Sequence, residues 1–165
     1  MFENKRETFP EREKRVIEFW DSQDILEKSL EIRKKDPLFS FYDGPPFATG
    51  LPHYGHLLAG TIKDVILRYK VMQGFFVPRR FGWDCHGIPV ENEIEKDKKL
   101  SGAASIKEFG VAHFNEACRS IVLRYTGEWE KSVKRMGRSI DFHSAYRTMD
   151  PSFMETVWWV FGQLW

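Results

Sequence analysis

Phe41-Tyr42-Asp43-Gly44-Pro45-Pro46-Phe47-Ala48-Thr49-Gly50-Leu51-Pro52-His53-Tyr54-Gly55-His56 is the stretch from which the fold of this chain can be read. It begins as a short aromatic strand, passes through a stiff Gly/Pro turn, and ends with two histidines around a glycine. From Leu57 onward, Leu58, Ile62, Val65, Ile66, Tyr69 and Met72 recur at helical spacing, and Gly74 is a natural stop. His53, Gly55 and His56 therefore stand where a strand hands over to a helix, a place suited to holding phosphate.

Working outward, Leu38 to Tyr42 reads as a strand buried on both faces, bounded by Pro37 and Gly44. Phe75 to Arg79 reads as a second strand, running into a glycine-punctuated loop at Gly82-Trp83-Asp84. Strand, helix and strand make a βαβ unit with parallel strands and a right-handed crossover. Upstream, Thr8 and Pro10 start a helix running to about Asp21, with Val16, Ile17 and Trp20 on its apolar face. A second helix, Ile25 to Lys35, stops before Pro37. The remainder reads as helical. Val90 to Lys99 is expected to be charged and exposed, and Phe114, Cys118, Ile121, Val122, Tyr125, Trp129, Val133 and Met136 mark one face of a long helix. Asp150 and Pro151 start a closing helix whose tryptophans, Trp158, Trp159 and Trp165, are expected to pack in a core.

Composition bounds the function. A chain of 165 residues with 42% hydrophobic residues can bury one sizeable core. Its 25 basic and 24 acidic residues give a formal charge of +1, so no global basic field argues for nucleic acid. The cluster Lys131, Lys134, Arg135 and Arg138 is read as a solvated helix face. Met1 to Arg15 lacks the apolar core of a secretory signal and no run approaches a spanning helix, so a cytoplasmic, non-membrane protein is expected. Cys85 and Cys118 are read as free thiols, and His86 beside Cys85 lacks the companions of a zinc site, so no metal ligand is expected. His113 and His143 are expected at the surface.

In an open parallel sheet the ligand lies beyond the carboxyl ends of the strands. That rule brings Gly44, Pro45, Pro46, Gly50, His53 and His56 together with Trp83, Asp84, Cys85 and His86. Glycines admit a phosphate to the backbone, the helix start after His56 offers amide hydrogens, and imidazoles donate where negative charge develops. Asp84, at a strand end, suits an ammonium group, or else caps a turn.

With HxGH at His53 to His56, the preceding Asp43-Gly44-Pro45-Pro46-Phe47-Ala48-Thr49-Gly50 and the later Gly82-Trp83-Asp84-Cys85-His86-Gly87-Ile88-Pro89-Val90-Glu91, the chain resembles the class I aminoacyl-tRNA synthetases. Within that class it resembles the isoleucine family, and the wording of Phe47 to Gly50, Arg79 to Cys85 and Val157 to Val160 looks like its eukaryote-like branch. The resemblance implies an α/β fold, the first half of a Rossmann-type (HUP-like) parallel-sheet nucleotide-binding domain with N-terminal helices and a helical C-terminal part. Residues 1–36 would be the helical segment, and 37–165 the N-terminal half of the catalytic domain, ending before the editing insertion. It implies activation of isoleucine by ATP with Mg2+ and charging of tRNA(Ile), by a monomer. His53 and His56 would be catalytic. Pro46, Gly50, His53, Gly55 and His56 would meet ATP, while Gly44, Pro45 and Asp84 would hold isoleucine. The family's KMSKS signature is absent from these residues, so an N-terminal fragment, weak or inactive alone, is expected. Any zinc would belong to the missing part. Two other readings stay open: a free-standing HxGH nucleotidylyltransferase, and a non-catalytic binding module.

Overall fold

The computed structural model describes residues 7–47 and 49–165, apart from the side chains of Leu123 and Arg124. Residues 1–6 of the expected N-terminal segment and Ala48 of the signature lie outside the described residues. The chain forms helices α1 (Phe9–Ser22), α2 (Ile25–Arg33) and α3 (Tyr54–Met72), strand β1 (Arg80–Trp83), helices α4 (Ile88–Lys98), α5 (Gly102–Phe109) and α6 (Val111–Arg135), strand β2 (Asp141–Arg147) and helix α7 (Pro151–Leu164). The α1 start is a reciprocal cap, with the Glu11 carboxylate accepting from the Thr8 amide at 2.8 Å and hydroxyl at 2.7 Å.

The first βαβ unit is present in an interrupted form. Leu38, Tyr42 and Phe47 bridge Phe76, Arg80 and Asp84, all parallel, with α3 as the crossover. The register is constant from Leu38 to Tyr42 and slips by one residue by Phe47. Pro37, Pro45, Pro46 and Pro78 cannot donate to a ladder, which is why bridges replace a continuous strand. The strand expected from Phe75 accordingly becomes regular only at Arg80, as β1. Leu38 and Tyr42 are exposed, against the expectation of burial on both faces.

The C-terminal part is not wholly helical. β2 pairs in parallel with β1, at Arg80 with Asp141, Gly82 with Tyr146 and Trp83 with Arg147, so β2 makes a large bulge between the first two pairs. Asp141 causes it: its Oδ1 accepts from the amides of His143 at 2.8 Å and Ser144 at 3.2 Å, drawing them out of the ladder.

The core lies between these strands and helices α4 to α6. Phe81, Trp83, Val90, Ile94, Phe114, Ile121, Val122, Trp129, Val133 and Ile140 form one buried cluster. The long-helix face is as expected except that Met136, just past α6, is exposed. Helix α4 is half of what was expected: its charges face water, but Val90 and Ile94 are buried.

Helix α3 inverts the expectation. Its buried residues are Gly60, Asp64 and Leu67, whereas Leu58, Ile62, Val65, Ile66, Tyr69 and Met72 are all exposed. The inward face is built on charge. Asp64 accepts from Arg68 Nε at 2.6 Å and the Ser139 amide at 3.0 Å, and Arg68 also donates to Gly137 O at 2.5 Å. Buried Arg79 donates to the Ser139 hydroxyl, and its burial lowers its pKa despite nearby Asp64. Arg138 is likewise no solvated residue, for its buried guanidinium pairs with Asp43 at 2.5 Å. Lys131, Lys134 and Arg135 do face solvent, paired with Glu128, Glu130 and Glu13. Helix α7 buries none of its residues, so its tryptophans pack in no core here.

Candidate active site

The HxGH motif is the first turn of α3, not a prelude to it: the helix begins at Tyr54 with His53 as N-cap. His53 Nδ1 accepts from the amides of Gly55 at 3.1 Å and His56 at 3.4 Å, and His56 Nδ1 accepts from the His53 amide at 3.3 Å. The histidines thus cap the helix reciprocally, in the manner of a Ser/Glu capping box. The helix start expected after His56 thus falls before it, and the first amide after His56, that of Leu57, donates to His53 O at 3.2 Å. Because both Nδ1 atoms accept, both rings carry their proton on Nε2, as neutral donors. Burial, then neighbouring His53 and Lys63, hold the His56 imidazole below its usual pKa, which keeps it neutral at pH 7. The rings stack, centroids 3.6 Å apart and 21° between planes.

Gly55 lets the His53 ring sit close over the helix start. A Cβ there would lie 3.0 Å from His53 Cε1 and 3.1 Å from Nδ1. Nothing lies within 4 Å of a Cβ at Gly44 or Gly50, so the space beside both is open.

The two loops meet. The Asp84 amide donates to Pro46 O at 2.9 Å, and the Asp43 amide to Arg80 O at 3.4 Å, so Gly44 and Pro45 are slung between two anchors on the second segment. Asp84 is half-buried, with Thr148 Oγ1 at 3.5 Å from its Oδ1 and no ion pair among the described residues. It does not cap α4, whose N-cap is Gly87 at φ 93°, a left-handed value that favours glycine. Thr148 also accepts from the Cys85 amide at 2.9 Å, tying this loop to the end of β2. Cys85 is buried with a thiol pKa raised by that burial, and His86 is exposed. Among the described residues no three His, Cys, Asp or Glu side chains gather where they could hold a metal ion.

Several site residues escaped the sequence reading. Asp43, 1% exposed, pairs with Lys63 of α3 and with Arg138, while Tyr146 donates to its carbonyl at 2.6 Å. Its place directly before Gly44 in the signature was the available signal. Tyr146 packs close against Gly82, where an added Cβ would collide with its ring. Trp129, expected on the apolar face of the long helix, also donates from its Nε1 to Gly50 O at 2.7 Å.

A protein-family model, tRNA synthetases class I (I, L, M and V), matches residues 15–165. The chain belongs to the class I tRNA synthetases. Among relatives of this synthetase chain, the isoleucine–tRNA ligase of Protochlamydia amoebophila (strain UWE25) is 69% identical over 165 residues, covering 99% of this chain and 16% of that protein. The isoleucine–tRNA ligase of Chlamydia caviae is 60% identical over 162 residues, covering 98% and 16%. The chain therefore spans about a sixth of the length of these relatives. The crystal structure of the ternary complex of Agrobacterium radiobacter K84 agnB2 LeuRS, tRNA and LeuAMS matches with TM-score 0.61 at 18% identity, over 95% of this chain and 18% of that one, a likeness of fold. The parallel α/β arrangement is thus that of part of a class I synthetase.

Proposed function

We propose that this chain carries the HxGH half of the active site of an isoleucine–tRNA ligase. The observation that carries the reading is 69% identity to a protein of that name over 99% of the chain. The geometry supports it, since Asp84 meets the loop of Gly44 and Pro45 while His53 and His56 present neutral donors at the start of α3.

In this reading Asp84 takes the ammonium of isoleucine, and Gly44 and Pro45 line its backbone side, where open space adjoins Gly44. The amino-acid carboxylate attacks the α-phosphorus of ATP, a P–O bond forms as the bond to pyrophosphate breaks, and isoleucyl-adenylate remains for transfer to tRNA(Ile). His53 and His56 stabilise negative charge on phosphate oxygens through Nε2–H and move no proton, since charge stabilisation and positioning dominate such transfers. Gly55 keeps the His53 ring in place. Gly50 leaves room for nucleotide, whereas Pro46 contributes its carbonyl to Asp84. Mg2+ would arrive on the phosphates of ATP. The same reading carries a monomeric cytoplasmic protein, with residues 37–165 as the N-terminal half of its catalytic domain after a helical segment 1–36. The wording of Phe47 to Gly50 and Arg79 to Cys85 supports the eukaryote-like branch, although the relatives named above are bacterial.

The test is isoleucine-dependent exchange of pyrophosphate into ATP by the full-length protein. Its absence would sink the reading. The 165-residue chain alone is expected to be weak or inactive, because no KMSKS sequence occurs in it. Calorimetry on the full-length protein separates the alternatives: isoleucine binding supports the ligase, nucleotide binding alone a nucleotidylyltransferase, and neither a binding module.

A further inference from the structure

Trp129 reaches the nucleotide end of the site from α6 and touches it in two places. Its Nε1–H donates to the Gly50 carbonyl at 2.7 Å, and its ring centroid lies 4.8 Å from that of His56 with the planes at 59°. Both partners are more than 70 residues away in sequence, so neither contact follows from the geometry of α6 itself. The indole is 4% exposed and backed by Trp83 at 5.9 Å, perpendicular to it, and by Phe81 at 6.5 Å. It is therefore anchored in the core and has little freedom to follow the loop. A core position needing only aromatic volume would be met by phenylalanine. The indole N–H must find an acceptor when buried, and the acceptor it finds belongs to the signature loop.

The consequence falls on His56. Its ring stacks on His53 and meets Trp129 at a tilt, with Nδ1 engaged by the His53 amide. Among the described residues Nε2 is its ring nitrogen left for a ligand. We propose that Trp129 is a positioning residue for the nucleotide, fixing the Gly50 backbone and the His56 ring in one relative arrangement so that the phosphates of ATP meet preorganised groups. This rests on the reading of HxGH as the nucleotide site. It goes beyond that reading in assigning a specific job to the indole N–H of a core residue on a different helix. Preorganisation of this kind acts through supporting residues whose own orientation is locked by packing and hydrogen bonds.

Two variants of the full-length protein test it. Trp129→Phe deletes the N–H and keeps an aromatic ring, while Trp129→Leu also removes the wall against His56. In isoleucine-dependent pyrophosphate exchange, Trp129→Phe is expected to raise the KM for ATP about five- to tenfold with the KM for isoleucine unchanged. Trp129→Leu is expected to add a loss of kcat. A role confined to core packing would instead lower the melting temperature and leave both KM values alone, or move them together, and either result overturns the proposal. ATP calorimetry on wild type and Trp129→Phe keeps it independent of the amino-acid assignment. If wild type binds ATP but shows no isoleucine-dependent exchange, the ligase reading fails, and the Trp129 proposal stands or falls on whether ATP binding weakens about five- to tenfold in the variant. Equal affinity overturns it, and no ATP binding by wild type removes both.

Discussion

A methyl group on residue 55 would press on the imidazole of His53 at 3.0 Å and 3.1 Å, so that ring, which accepts from the amides of Gly55 and His56, would have to shift by a few tenths of an ångström. Gly55→Ala is therefore expected to cut pyrophosphate exchange by about a hundredfold, the effect of misplacing one charge-stabilising donor. The melting temperature of the full-length protein should barely change, because alanine is the better helix former and offsets the lost cap. A large fall in melting temperature with normal turnover per folded molecule would contradict this. His56 carries a pH prediction. Burial, then His53 and Lys63, depress its pKa below the usual imidazole value, and its neutral Nδ1 is needed as an acceptor. The unfolded chain therefore takes up the proton first. The stability contributed by neutral His56 is present above the usual value and is lost as pH falls below it towards the depressed one. Wild type should melt higher than His56→Gln at about pH 7.5, with the gap narrowing towards about pH 5. A pH-independent gap would assign the stabilisation to packing.

At the scale of elements, Asp43 joins three pieces: the signature loop, α3 through Lys63, and the segment after α6 through Arg138. Its carboxylate is buried, so Asp43→Asn leaves two cations facing a neutral amide, a change of about 3–5 kcal/mol for a buried pair. Hydrogen exchange on the full-length protein should find amides of α3 and of residues 138–140 faster by about a hundredfold or more, with amides of α5 unaffected. Uniform acceleration would mean global loss, not a local joint. This joint also marks how far elements could be read from sequence. Helix α3, the face of α6 and the parallel neighbours of the signature were legible because apolar periodicity and Gly/Pro punctuation report them directly. β2 was not, because Asp141 folds His143 and Ser144 onto its own side chain and breaks the alternation that reveals a strand. The facing of α3 was also hidden. Its apolar residues pointed to one buried face, while the face packed here is secured by Asp64, Arg68, Arg79 and Ser139, whose pairing depends on residues far apart in sequence. Within the site, glycines and histidines were legible from the motif, but the roles of Trp129, Tyr146 and Thr148 arise only from contacts across the fold.

Over the whole molecule, these faces leave many large apolar side chains exposed. Leu58, Ile62, Val65, Ile66, Tyr69 and Met72 line α3 outside, and Trp158 of α7 is 71% exposed. Continuous apolar patches beyond a few hundred Å2 are uncommon on soluble monomers and mark contact surfaces. No helix among the described residues is long and apolar enough to cross a membrane. The chain spans about a sixth of the relatives named above, and under the proposed function a full-length protein of their size would have further sequence to set against these faces. The expected outcome differs between the two contexts. The 165-residue chain alone should bind a hydrophobic dye and self-associate, and Val65→Glu should reduce both without lowering its melting temperature, because the residue is 61% exposed. In the full-length protein the same substitution should lower the melting temperature by several degrees, since a charge would then be forced into a packed apolar contact. Dye fluorescence, sedimentation and melting curves on both lengths check the pair. If Val65→Glu is silent in the full-length protein, the α3 face is open to solvent there too, and its apolar residues need another explanation.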